Sequence, residues 1–95
     1  MSEIYKSKAA RGTVMRTLAL FYPNQVTSRQ ILAALSAHGI GVTSEMSGVT
    51  AYLKDKGYIQ YFEAEPYTAA DGTLKLTALG MDLIEGTVSD KGVLL

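Results

Sequence analysis

The chain of 95 residues is long enough for one hydrophobic core but not for two, so we expect a single domain over residues 1–95. Its 47% hydrophobic and 19% charged residues indicate a globular protein rather than a disordered one, and its formal net charge is zero. The lack of cysteine excludes disulfides and thiolate metal sites. No apolar run could span a membrane and no signal peptide is recognisable, so we expect a cytoplasmic location.

The charges are unevenly distributed along the chain. Residues 1–56 hold seven basic and three acidic groups, whereas residues 57–95 hold two basic and six acidic groups. The first segment therefore has a net charge of +4 and the second a net charge of −4. Such a split predicts either a face that attracts phosphate or a head-to-tail contact between two copies. Chance in a short chain is the alternative that the sequence leaves open.

The first half of the chain has the patterns of two helices. Apolar residues recur at helical spacing from Ala9 to Tyr22, and Pro23 ends this helix because the residue before a proline avoids helical geometry. Thr27 and Gln30 then fit a capping box, in which each side chain bonds to the other residue's backbone N–H. A second helix is therefore predicted to begin at this point.

The stretch around which the other elements are arranged follows the second helix. Thr43 or Ser44 can cap a third helix by accepting hydrogen bonds from its first backbone N–H groups. Gly57 is placed to end that helix in a left-handed conformation, and Tyr58 and Ile59 then begin a strand. A helix that leads directly into a strand in this way is typical of the second helix of a helix-turn-helix followed by a β-wing.

The last third of the chain predicts a β-hairpin and a short helix. Residues 58–62 are aromatic and β-branched, turn residues follow, and residues 73–76 alternate apolar with polar side chains. Thr77 caps a helix over residues 78–85, in which Leu79 and Leu83 face inward. The two ends of the chain are expected to be tails that are flexible or that contact a second copy: residues 1–8 and residues 87–95. Together the patterns predict a core formed by Val14, Leu18, Phe21, Ile31, Leu35, Met46, Val49, Leu53, Ile59, Leu76 and Leu83.

The order helix, helix, helix, hairpin, helix is that of a winged helix, a fold of the α+β class. Two segments carry a more specific resemblance. Leu53 is followed by Gly57 and an aromatic–β-branched pair, and Leu76-Thr77 is followed by Gly80. This spacing is similar to the L-x-x-x-G-[LY]-[IV] … L-T-x-x-G pattern of many winged-helix regulators. The resemblance implies a three-helix helix-turn-helix core, a two-stranded β-wing and a short C-terminal helix.

Nearly the whole chain also resembles small winged-helix proteins that Mu-like phages and prophages encode. The tail carries the additional pattern G-T-x-x-x-x-G-V, formed here by Gly86, Thr87, Gly92 and Val93. The resemblance implies the fold and a phage or prophage source more than it implies an activity.

The sequence contains few side chains of the types that usually act in catalysis. His38 is the only histidine, and its place before Gly39 is typical of a helix C-terminus. Glu63 and Glu65 share one strand face, as paired catalytic carboxylates would, but in a hairpin rich in turn residues they are more typical of a solvated edge. The sequence has neither a glycine-rich phosphate loop nor metal-ligand spacing. We expect no enzyme activity, no cofactor, no metal and no small-molecule substrate.

A DNA interface is the function that the pattern favours, with double-stranded DNA as the partner. If the third helix enters a major groove, its outward residues meet base edges: Ser44, Ser47, Gly48 and Ala51. The start of the second helix would meet phosphate through side chains and exposed N–H groups: Thr27, Ser28 and Arg29. Two lysines would follow the phosphate backbone: Lys54 and Lys56.

Two features of the sequence leave a second hypothesis open. The predicted reading face has Glu45 but no arginine, and the predicted wing is acidic, with Glu63, Glu65 and Asp71. An acidic wing is repelled by phosphate, so the alternative is a winged helix that binds a protein partner and no DNA. A few phosphate contacts give weak, salt-sensitive binding, and two copies would offset this weakness. A homodimer is therefore also expected.

Overall fold

The structure, a computed structural model, describes residues 3–39, 46–62 and 72–95. In these ranges the chain forms four helices and three strands, in the order α1 (Glu3–Phe21), β1 (Val26–Thr27), α2 (Ser28–Ala37), α3 (Met46–Asp55), β2 (Ile59–Phe62), β3 (Thr73–Leu76) and α4 (Ala78–Ile84). The fold is of the α+β class, as predicted. None of the helices in the described ranges is long and apolar enough to cross a membrane.

The three strands form one antiparallel sheet with β3 in the middle, in the order β1-β3-β2. Leu74 of β3 lies opposite Val26 on one side and opposite Tyr61 on the other, and Leu76 lies opposite Ile59. The predicted two-stranded hairpin therefore gains a third strand, β1. A strand of two residues is too short to show an alternating pattern, so only its pairing with β3 makes it recognisable.

One hydrophobic core lies between the helices and the sheet. Nine of the predicted core side chains are buried in it: Val14, Leu18, Ile31, Leu35, Val49, Leu53, Ile59, Leu76 and Leu83. The core also contains Ala10, Met15, Val26, Tyr58, Leu74 and Val93. Burial of one large aliphatic side chain contributes roughly 1.5–3 kcal/mol, so this core is the main source of stability.

The predicted core position Phe21 is wrong. Its side chain is 44% exposed, and Leu20 beside it is 83% exposed. The fully buried stripe of α1 ends at Leu18. In the last turn, Ala19 is partly buried against the core, whereas the side chains of Leu20 and Phe21 are exposed.

The predicted inward position of Leu79 is also wrong, since 41% of this residue is exposed. Gly80 and Leu83 form the buried face of α4 instead. The backbone of α4 approaches the start of β2 so closely that a Cβ at Gly80 would overlap the carbonyl of Tyr58. The missing side chain of Gly80 thus permits this close approach, and Leu79 lies on the exposed side of α4.

The predicted helix ends agree with the structure where it describes them. Thr27 and Gln30 form both bonds of the capping box at the start of α2, and the Thr77 hydroxyl accepts the Gly80 N–H. Gly57 has a φ of +82°, the left-handed conformation predicted for the end of α3. The first helix begins earlier than predicted, at Glu3. Several predicted positions lie outside the described residues: Thr43, Ser44, Glu45, Glu63, Glu65 and Asp71. The predictions for the Met46 and Ser47 side chains also lie outside what the structure describes.

The C-terminal segment, residues 87–95, lies against the chain's own helices. The Leu94 N–H donates to the Lys8 carbonyl at 3.0 Å, and Val93 is buried in the core. A Cβ at Gly12 would overlap the Leu94 carbonyl, so this glycine permits the close approach of the segment to α1. We call residues 87–95 the C-terminal strap.

Candidate nucleic-acid interface

Helix α3 has a buried side and an open side. Val49 and Leu53 are buried in the core, whereas Gly48, Ala51 and Lys54 are exposed. Apart from its own helix and chain neighbours, a Cβ added at Gly48 would meet no atom of the described residues within 4 Å. The three exposed residues are spaced three apart, which places them along one side of the helix. This open strip is narrow, since two of its three residues have little or no side chain. Ser47, another predicted base contact, lies in the first turn of α3.

The start of α2 offers fewer free groups than the sequence predicts. The Thr27 hydroxyl accepts the Gln30 N–H at 3.2 Å and donates to Gln30 Oε1 at 3.1 Å. The Ser28 hydroxyl donates to the Gly72 carbonyl at 2.9 Å, and the Ser28 N–H donates to the same oxygen at 2.8 Å. Both hydroxyls therefore have partners within the chain, while Arg29 is exposed. The Ser28–Gly72 bonds also attach the start of α2 to the start of β3.

The two predicted lysines have different surroundings. Lys54 is exposed in the last turn of α3. Lys56 has its Nζ atom 3.8 Å from Asp90 Oδ2 and 5.6 Å from the centre of the Tyr52 ring. Lys56 therefore forms an ion pair with the C-terminal strap, and phosphate would have to compete with Asp90 for it.

Asp90 is the centre of a half-buried polar cluster on the side of α3 that faces the C-terminal strap. Its carboxylate accepts hydrogen bonds from the Tyr58 hydroxyl at 2.7 Å, the Tyr52 hydroxyl at 3.3 Å and the Gly92 N–H at 2.7 Å. Together with Lys56, these groups form what we call the Asp90 cluster. Since α3 supplies Tyr52 and the turn before β2 supplies Tyr58, the cluster attaches both segments to the strap.

The cluster changes the acidity of two of its members. The Tyr58 hydrogen bond lowers the pKa of Asp90 below its usual value, and the Gly92 N–H and Lys56 act in the same direction against the effect of burial. Burial, followed by the hydrogen bond to Asp90, raises the pKa of Tyr58 to about 12. At neutral pH the cluster therefore holds an ionised Asp90 and a neutral Tyr58.

Arg11 connects the cluster to α1. Its guanidinium carbon lies 3.7 Å from the centre of the Tyr52 ring, and Nη1 donates to the Gly92 carbonyl at 3.0 Å. This stacking is a cation–π contact. The Nε atom of Arg11 is buried and has no hydrogen-bond partner in the described part of the chain. Arg11 thus contacts α3 and the strap with one planar group.

The sequence contained a signal for this cluster that the prediction missed. Asp90 precedes Gly92 by two residues, and an aspartate often accepts the N–H two residues on in an Asx-turn. Tyr52 on α3 and Lys56 just beyond its end are four residues apart, which brings a ring and a cation together. What the sequence could not show is that these two features meet in space.

The described residues contain no group of three or more histidine, aspartate or glutamate side chains that could hold a metal ion. Comparisons of the chain with protein-family models, with curated proteins and with solved structures give no match. The resemblance to winged-helix regulators therefore stays a prediction.

Proposed function

We propose that the chain is a winged-helix protein that binds double-stranded DNA in the cytoplasm without catalysis, as a regulator of a phage or prophage. The open strip of α3 is the observation that supports this proposal. A helix enters a major groove about 12 Å wide more readily when its outward side chains are small. Gly48 and Ala51 meet this condition, and Lys54 at the end of the strip adds a positive charge.

The order of the elements supports the same proposal. Helices α2 and α3 follow one another, and β2 and β3 come next as a pair of antiparallel strands. In a helix-turn-helix, the second helix reads the groove and the first crosses the DNA backbone. In this arrangement α3 is the reading helix, the start of α2 meets phosphate, and the β2–β3 hairpin is the wing.

The proposal gives each predicted contact a role. Arg29 and Lys54 hold phosphate, and Lys56 joins them when it leaves Asp90. Ser47 and Ala51 face the bases, and Ser47 carries the hydrogen-bonding part of sequence recognition. The Thr27 and Ser28 hydroxyls, which are bonded within the chain, act by fixing the start of α2 rather than by binding phosphate.

A titration with pooled random duplex DNA tests the proposal. Binding is measured at about 50 mM and 150 mM salt, and the bound fragments are sequenced. We expect a shallow negative slope of log affinity against log salt. Arg29→Ala lowers the affinity for all sequences alike, whereas Ser47→Ala changes which sequences are enriched. If the wild-type protein binds no DNA even at about 50 mM salt, where screening is weak, the proposal is wrong.

A homodimer is part of the same proposal. One copy offers only a few phosphate contacts, and two copies would double them on a site with two half-sites. The opposite net charges of residues 1–56 and 57–95 favour contact between copies. Sedimentation at about 50 µM protein checks this point. A species of 10.2 kDa alone contradicts the dimer.

The exposed apolar side chains at the end of α1 favour a second function, binding of a protein partner without DNA. Leu20, Phe21 and Tyr22 are exposed one after another, and Phe62 at the end of β2 is also exposed. Exposed apolar patches often mark protein contacts.

Replacement of both Glu63 and Glu65 by lysine separates the two functions. It abolishes capture of a protein that docks on the acidic wing, but it strengthens DNA binding if DNA lies nearby.

A further inference from the structure

A groove outside the proposed DNA interface lies between the first half of α1, the end of α2 and the end of the C-terminal strap. Its volume is about 530 Å³. Sites for small molecules measure about 300–1,000 Å³ and are mostly apolar. The apolar walls of the groove are formed by Tyr5, Ala9, Leu94 and Leu95. The groove therefore has the size and the lining of a site for a small apolar molecule.

Three of the polar side chains that line the groove are basic. Lys6, Arg16 and His38 line it beside the neutral Thr13, and no aspartate or glutamate is among its described lining residues. A low-dielectric wall strengthens the attraction of Lys6 and Arg16 for an anion. The groove thus combines an apolar floor with positive charge, which is the complement of an amphipathic anion.

Arg16 is the cation that is best placed to hold an anionic head group. Its Nη1 donates to the Leu94 carbonyl at 3.3 Å, and its Nη2 donates to the Thr13 hydroxyl at 3.4 Å. Both bonds are long and both acceptors are neutral, and Arg16 forms no ion pair with any residue that the structure describes. A guanidinium has five N–H donors in a fork that matches a carboxylate. Arg16 therefore keeps donors for a ligand.

His38 is oriented by its own helix. Its Nδ1 lies 2.9 Å from the Ala34 carbonyl, to which the Nδ1–H donates. This bond leaves Nε2 as the ring nitrogen that meets a ligand in the groove. His38 also occupies the end of α2, so a ligand here contacts two helices and the strap at once.

We propose that the groove binds a medium-chain aliphatic carboxylate. The carboxylate lies on Arg16, and the alkyl chain lies over Ala9 between Tyr5 and Leu94. Seven residues of helix separate Ala9 from Arg16, a distance of about 10 Å, which suits a chain of roughly eight to ten carbons. The inference concerns binding and not turnover, and it does not depend on the proposed binding of DNA.

Calorimetric titration with decanoate, decanol and acetate tests both parts of the ligand. Decanoate binds, decanol binds roughly tenfold more weakly because it lacks the charge, and acetate does not bind because it lacks the chain. Equal affinity for decanoate and decanol, or no decanoate binding at millimolar concentration, overturns the proposal.

Two variants locate the site. Arg16→Gln lowers the affinity for decanoate roughly tenfold, whereas the matched variant Lys54→Gln on the open strip of α3 leaves it unchanged. Equal losses in the two variants would mean that only net charge matters, and the proposal would be wrong. Ala9→Phe keeps Lys6, Arg16 and His38 and places a phenyl ring where the alkyl chain would lie, so it abolishes binding. Thermal melting of each variant shows that it is folded, and a folded Ala9→Phe protein that still binds decanoate also overturns the proposal.

Discussion

The two sides of α3 differ in how many other parts of the fold they contact. On the strap side, Tyr52 contacts Arg11 and Asp90, and Lys56 just beyond the helix pairs with Asp90. On the open side, Gly48 has no neighbour within reach of an added Cβ, and Ala51 is exposed. One helix of ten residues therefore joins three parts of the fold on one side and leaves its other side available to a partner.

The difference shows how a small domain can fix the position of a helix and still leave one side of that helix exposed to a partner. The core and the Asp90 cluster fix the position of α3, so the open strip contributes little to stability. Residues on such a strip can change at small cost, because surface substitutions alter the free energy of unfolding by about 0.5 kcal/mol or less. The following substitutions test whether the two sides differ in this way.

The largest expected effect is the loss of the core contact of α3. Leu53 is fully buried, so Leu53→Ala should lower the free energy of unfolding by about 2–5 kcal/mol. Leu20→Ala, at an exposed helical leucine, should change it by about 0.5 kcal/mol or less. Urea unfolding measures both. A loss below about 1 kcal/mol for Leu53→Ala would mean that the buried face of α3 is misassigned.

Replacement of two glycines by alanine should change the free energy of unfolding in opposite directions. In α1, Gly12→Ala places a methyl group on the Leu94 carbonyl, so we expect a loss of about 1–3 kcal/mol as the strap is displaced. On the open side of α3, Gly48→Ala meets nothing and should stabilise the helix by about 0.5–1 kcal/mol. Thermal unfolding of the two variants decides the point, and stabilisation by both would show that the strap does not pack tightly on α1.

The Asp90 cluster predicts a dependence of stability on pH. Because folding lowers the pKa of Asp90, the stability it contributes is present above the unfolded pKa of about 3.9 and is lost as the pH falls through the lower folded value. Asp90→Asn should therefore unfold more easily than the wild type at pH 7, by about 1–2 kcal/mol. The difference in the free energy of unfolding between Asp90→Asn and the wild type should become smaller as the pH falls below about 4.

The matched control for this experiment is Asp55→Asn, at an exposed position in the last turn of α3. Urea unfolding at pH 7, 5, 4 and 3 compares the two variants with the wild type. We expect only a small difference for Asp55→Asn, because this residue is exposed. A gap for Asp90→Asn that does not change with pH would mean that its charge has no part in holding the strap.

The smallest expected effect is the difference between Lys54 and Lys56 in the proposed DNA binding. Lys54→Gln should reduce the magnitude of the salt slope by about 0.9, the value for one phosphate contact. Lys56→Gln should reduce it by less, because Lys56 must first leave Asp90. Affinities at several salt concentrations give both slopes. A larger reduction for Lys56→Gln would place the DNA on the strap side of α3.

Local chemistry made much of the fold predictable. The Thr27–Gln30 capping box, the Thr77 cap and the left-handed Gly57 all depend on residues within four positions of one another in the sequence. The strand over residues 73–76 was likewise readable from its alternation. By contrast, β1 is recognisable only through its pairing with β3. Phe21 fits the helical stripe of apolar residues, yet its side chain is 44% exposed.

The candidate interface divides in the same way. The outward position of Gly48, Ala51 and Lys54 followed from helical spacing and from the apolar residues between them, so the sequence alone determined it. The partners of Thr27 were also readable, because its capping box is local. The pairing of Ser28 with Gly72 was not, since 44 positions separate the two residues.

The sequence by itself determined where the helices end and which face of α3 turns outward, because caps, glycines and helical periodicity act over a few residues. Only the tertiary structure decided that Lys56 pairs with Asp90 while Lys54 has no such partner in the described part of the chain, and that Asp90 joins two tyrosines to the strap. These contacts depend on the path of residues 87–95 across α1 and α3, and that path depends on close approaches such as Gly12 to Leu94. Such approaches involve residues about 80 positions apart, and the burial of the whole core selects them rather than any local pattern.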